Sequence, residues 1–90
     1  MTFRVDRLVS EENVIVLHVS GRVDLECVNT TKELIEAENA KIVLDLSEVT
    51  LAGRDAAAFL AVCEHKGLEL SKCPAFLRGW VDSEQKRITP

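Results

Sequence analysis

Three aspartates, Asp24, Asp45 and Asp55, stand where apolar runs give way to the next segment, and carboxylates so placed are the first residues to test for acid–base or metal chemistry. To work as a hydrolase or transferase centre they would have to converge, which spacing alone does not establish. Each has a plainer role. An aspartate ahead of an amphipathic run caps the amide end of a helix, which accounts for Asp24 without a phosphate or magnesium ligand. Asp55, in the first turn of a second helical run, gains about 0.3–1 kcal/mol from the helix dipole with no function attached. Ser47, Thr50 and Ser71 are candidate phosphoacceptors only as any loop hydroxyl is, and turn hydrogen bonding explains them as well. His18 lies inside an apolar strand, and no serine or cysteine is placed in sequence to be its nucleophile.

The three cysteines, Cys27, Cys63 and Cys73, are an odd number with no pair at C-x-x-C spacing, so they suggest neither a disulfide framework nor a zinc knuckle. Cys63 and His65 are two apart on a helix and point about 200° from one another, the wrong relation for a shared metal. Glycine-rich phosphate loops of the G-x-x-x-x-G-K-[ST] or G-x-G-x-x-G kind are absent. The expectation is a non-enzyme without metal or cofactor.

The chain that must position these residues has 90 residues, 47% of them apolar, with 4 glycines and 2 prolines. That suits one domain with one core and leaves little room for a deep cleft. Eleven basic against 15 acidic residues give a net charge of −4, with no run of three basic residues. Together with three Phe, one Trp and no Tyr, this argues against a nucleic-acid partner. No apolar run approaches the roughly 18 residues a membrane span requires, and residues 1–13 are charged where a signal peptide would be apolar, so a cytoplasmic chain is expected.

Phe3, Val5 and Leu8 open an extended segment, Ser10 to Asn13 supply a turn, and Val14 to Val19 form a β-branched run ended by Gly21. This predicts a hairpin whose second strand is central and covered on both faces. Leu25, Val28, Leu34 and Ile35 mark an amphipathic helix capped by Asp24. Lys41 to Leu46 reads as a third strand followed by a Ser47-to-Ala52 turn. Ala56, Ala57, Phe59, Leu60, Val62 and Cys63 give a second helix stopped by Gly67, with small residues that permit close approach to a sheet. Leu68 to Leu70 predicts a short strand, and Pro74 opens a last helix through Phe76, Leu77 and Trp80. Residues 83–90 are expected to fray, leaving a core of about 3–81. The order β-β-α-β-α-β-α implies a mixed α/β sheet, antiparallel at the hairpin and parallel across the β-α-β crossovers. Ligands of such units meet the loops after the strand ends, here Gly21 to Asp24 and Ser47 to Asp55.

The stretch Ile42-Val43-Leu44-Asp45-Leu46-Ser47-Glu48-Val49-Thr50-Leu51 resembles the signature strand of the STAS domain family, the anti-sigma-factor antagonists. Members of that family typically read V-L-D-L-S-x-V-x-F and continue I-D-S-S-G-L. Gly21-Arg22-Val23-Asp24-Leu25 resembles the family's G-x-[LIV]-D turn. The similarity covers about Val14 to Val81. It implies a sheet with helices packed mainly on one side, and a bacterial signalling module that docks a kinase-type anti-sigma factor. In the family that kinase phosphorylates a serine at the start of the second helix. Here the D-S-S-G position reads Gly53-Arg54-Asp55-Ala56, so Asp55 stands where the phosphoacceptor would be.

A carboxylate has one charge and two acceptor oxygens, whereas phosphoserine has nearly two charges and three, so Asp55 mimics the modified state only in part. The resemblance therefore implies a regulatory protein-binding module without serine switching. Asp24, Ser47, Thr50, Gly53, Arg54 and Asp55 are its candidate partner-facing residues. The alternative is a domain released from signalling that binds a small metabolite or self-assembles. The family usually continues through a further strand and helix where this chain ends. If the face beneath is open, Phe76, Leu77 and Trp80 need cover, from the domain's own sheet or from a second copy in a homodimer.

Overall fold

A computed structural model describes residues 3–10 and 13–88. The element order is β1 (Phe3–Val9), β2 (Val14–Val23), α1 (Leu25–Glu36), β3 (Lys41–Ala52), α2 (Arg54–His65), β4 (Glu69–Ser71) and α3 (Ala75–Ile88). The strands form one sheet in the order β1-β2-β3-β4. β1 pairs antiparallel with β2, while β2–β3 and β3–β4 are parallel. The mixed sheet, the hairpin and the crossovers all follow the sequence expectation. At the hairpin Ser10 N–H donates to the Val14 carbonyl, and Asn13 takes a positive φ of 64°, a conformation asparagine tolerates. Glu11 and Glu12, part of the expected turn, lie outside the described residues.

β2 is internal, as its composition predicts, yet it is not covered on both faces. Ile15, Leu17 and Val19 are buried, and the residues between them, Val14, Val16 and His18, are only half-buried. β3 alternates in the same way, with Ile42, Leu44 and Leu46 inward. The helices therefore pack mainly against one face, and the valines of the other are left half-buried. A continuous β-branched run suits either case, because neighbouring side chains on a pleated surface favour it as burial does.

The principal departure from the sequence reading is strand length. Gly21 does not end β2, and Ser47 to Ala52 is not a turn: β2 runs to Val23 and β3 to Ala52. The register explains why the pattern was hidden. His18 pairs with Asp45, Ser20 with Glu48, Gly21 with Val49 and Arg22 with Leu51, so β3 carries an extra residue at each of two bulges. Each bulge breaks the period-two alternation that marks a strand, leaving Val49 and Ala52 as the inward residues. At the first bulge the Ser47 amide donates to the Asp45 carboxylate at 3.0 Å. Opposite the second, Gly21 adopts a φ of 85°, which a side chain would strain.

The core joins the inward faces of β2 and β3 to Cys27 and Val28 of α1, to Ala56, Ala57, Leu60, Ala61 and Cys63 of α2, and to Leu77 and Val81 of α3. Two expected core residues are not there. Leu25 is 58% exposed and Val62 39% exposed. On α1 the buried face runs through Cys27, Val28 and Thr31, a polar residue that apolar counting passes over. The alanines of α2 do seat it closely on the sheet.

α2 ends as expected at Gly67, whose φ is 100°. Gly67 N–H donates to the Glu64 carbonyl and Leu68 N–H to that of Cys63, the paired bonds that close a helix through a left-handed residue. α3 packs on α2. Its course corrects the expectation of a frayed end: residues 83–88 continue the helix, and Gln85 Nε2 donates to the Ala61 carbonyl and to Glu64, each at 3.0 Å. The last two residues lie outside the described range. Of the three apolar residues expected to need cover, Leu77 is fully buried, whereas Phe76 and Trp80 are each 51% exposed.

Candidate functional site

β2 and β3 end side by side, with Val23 paired to Ala52, so the amino ends of α1 and α2 emerge next to each other. Between them lies a groove of about 350 Å³ lined by Arg22 to Leu25 on one side and Leu51 to Ala56 on the other. Four of the six residues singled out in the sequence meet there: Asp24, Gly53, Arg54 and Asp55. Ser47 and Thr50 do not. They are exposed along β3, short of the groove, because the segment holding them is strand instead of loop.

The two acids of the groove are held differently. Asp24 has extended backbone, and its Oδ1 accepts the Cys27 amide at 3.1 Å, so it caps α1 as the sequence predicts. α2 starts at Gly53 without a side-chain cap. Gly53 has a φ of −96°, and a Cβ there would meet nothing within 4 Å, so its backbone does not require glycine. Arg54 and Asp55 are exposed and make no side-chain hydrogen bond or ion pair among the described residues. Two helix amino ends, each positively polarised, thus face one groove with Asp24 and Asp55 partly offsetting them and Arg22 and Arg54 at the rim.

Apolar surface continues from the groove. Leu25 and Leu51 stand 58% and 55% exposed on its two walls, and Arg54 also lines a neighbouring depression with Ala57 and Trp80. Reading for polar motifs passes over these leucines. Leu25 lies two residues past Val23 and Leu51 one residue before Ala52, the last inward positions of β2 and β3, so each flanks a core position without sharing its burial.

Asp45 does not join the other aspartates. It lies in register with His18 and Asp6 on the sheet face turned away from the helices. Burial pushes its carboxyl up, but hydrogen bonds from Ser47 outweigh this, with help from the His18 and Lys72 charges, and hold it below the usual range. Cys63 is buried and His65 exposed, the divergence their spacing predicts. Among the described residues no three His, Cys, Asp or Glu side chains are grouped to hold a metal ion, and no helix is long and apolar enough to cross a membrane.

A mixed four-stranded sheet ordered β-β-α-β-α-β-α, with helices mainly on one face and a groove at the adjoining ends of β2 and β3, defines a STAS-like fold. A crystal structure described as an antisigma-factor antagonist, a STAS domain from Rhodobacter sphaeroides, superimposes with a TM-score of 0.54 at 15% sequence identity, covering 82% of this chain and 94% of that one. By sequence the chain matches no protein-family model and no curated protein. The likeness is one of fold.

Proposed function

We propose that this chain is a single-domain regulatory module of the bacterial cytoplasm, working by protein–protein contact through the groove between the amino ends of α1 and α2. Its partner is a kinase-type anti-sigma factor or a related regulatory protein. The observation that carries this reading is the pairing of exposed Leu25 and Leu51 around Asp24, Gly53, Arg54 and Asp55, an apolar patch framed by charges of both signs. The fold shared with a protein described as an antisigma-factor antagonist supports it. The reading requires no catalysis, metal or nucleic acid.

Asp55 supplies a constant negative charge where a phosphorylatable serine would supply a variable one, and Arg54 beside it adds a fixed positive charge. Such a pattern selects one partner and repels others without being switched. Titration calorimetry of the purified chain against anti-sigma-factor kinases from the same genome tests this. The wild type should form a complex that Leu51→Asp and Arg54→Glu each weaken at least about tenfold, roughly 1.4 kcal/mol, and should take up no phosphate from ATP in that complex. Failure to bind any such kinase, or equal binding by both variants, would refute the proposal. Self-assembly through Phe76 and Trp80 would show instead as a mass that rises with concentration in light scattering.

A further inference from the structure

A second groove, of about 370 Å³, runs between α1 and α2 away from their amino ends. One face of each helix forms its walls, through Val28 and Ile35 of α1 and Phe59, Val62 and Cys63 of α2, and Leu68 closes it beyond the end of α2. The groove exists because α2 presents the small Ala58 toward α1, so the helices share the sheet without filling the space between them. As a result Phe59, at the edge of the core, is left half-buried and Val62 is 39% exposed, apolar side chains lining a concavity. Its volume falls at the lower end of the range for small-ligand sites.

The rim is charged in a specific way. Lys32 and Lys66 line the groove, both are exposed, and neither forms an ion pair among the described residues. Glu36 is the carboxylate of the lining, so the groove carries a surplus of one positive charge in a chain whose net charge is −4. A single negative charge neutralises that surplus, whereas a dianion would leave a net negative charge beside Glu36.

We infer that this groove binds a small amphipathic monocarboxylate, its aliphatic chain lying over Ile35, Phe59, Val62 and Leu68 and its carboxylate meeting the ammonium groups of Lys32 and Lys66. The inference is independent of the partner-facing groove, with which it shares no lining residue.

Sodium octanoate, titrated into the isotopically labelled chain and followed by NMR of methyl groups and backbone amides, tests it. Saturable shifts should centre on Ile35, Val62 and Leu68, with a Kd of about 1 mM or tighter. The double variant Lys32→Gln/Lys66→Gln should bind at least about tenfold more weakly, as should octylamine on the wild type, since both remove the charge match. Val62→Asp, at an open position that leaves the core intact, should abolish binding. Equal affinity for octylamine, octanoate shifts that do not saturate or centre elsewhere, or an unaffected lysine variant would each overturn the inference. So would the same shifts appearing on concentration of the chain alone, which would assign the groove to a second copy.

Discussion

The Asp24 carboxylate accepts the Cys27 amide at 3.1 Å, and this bond sets where α1 begins beside the uncapped start of α2. Asp24 is thereby a positioning residue, whereas Asp55, with no side-chain partner among the described residues, is available to a partner.

Asp24→Ala should destabilise the chain by about 0.5–2 kcal/mol, and Asp24→Ser should recover most of the loss, because serine caps as well as aspartate. Asp55→Ser should cost at most the helix-dipole contribution of about 0.3–1 kcal/mol. Urea denaturation monitored by circular dichroism separates the two, and equal effects at both sites would contradict the division of roles.

Gly67 has a φ of 100°, and an added Cβ would meet nothing within 4 Å. The cost of Gly67→Ala is therefore backbone strain without a clash. A loss of about 1 kcal/mol is expected, with Gly67→Asn costing less. In a domain of this size that is a fall of about 4–8 °C in Tm, readable by calorimetry.

Arg78 holds α3 to α2 through a two-bond contact with Glu64, at 2.6 and 3.1 Å, while also meeting Asp82 on its own helix. Both partners of the Arg78–Glu64 pair are about one-third exposed, so Arg78→Ala should cost about 1–2 kcal/mol, short of a fully buried pair. The Arg78 hydrogen bonds hold the Glu64 carboxyl below its usual value of 4.5. The folded chain thus binds that proton less readily than the unfolded one. The contribution is complete above about pH 4.5 and is lost as pH falls through the lower folded value. The stability difference between wild type and Arg78→Ala, measured by urea denaturation at pH 7 and again near pH 3, should therefore shrink in acid.

The cysteines should differ in reactivity. Burial pushes the Cys63 thiol up to about 11 and raises the buried Cys27 as well, while Cys73 is only half-buried. With a thiol-specific disulfide reagent at pH 8, one equivalent should react in the folded chain, more slowly than a free thiol, and two more only on unfolding. Assigning the first adduct to Cys73 by mass spectrometry checks the order.

Residues 83–88 give the clearest case of structure that local pattern concealed. Ser83, Glu84, Gln85, Lys86 and Arg87 show no apolar period and read as a tail. They are helical because Val81 is buried just before them and Gln85 reaches back to Ala61, 24 residues earlier. Ser47 to Ala52 was hidden for a related reason. A strand with two bulges has no single period, and its bulges are visible only against the partner that sets the register.

What the chain alone determined was local: the Asp24 cap, the Gly67 stop, the hairpin, the helices and the order of elements. Each depends on hydrogen bonds or side-chain spacing within a few residues, which sequence displays directly. The meeting of Asp24 with Gly53, Arg54 and Asp55, the exposure of Leu25, Leu51 and Val62, and the opening between α1 and α2 were decided by tertiary structure. Those relations depend on how far β2 and β3 run before their helices begin and on which faces the helices turn to the sheet, and residues about 30 apart in sequence become neighbours only when the strands pair.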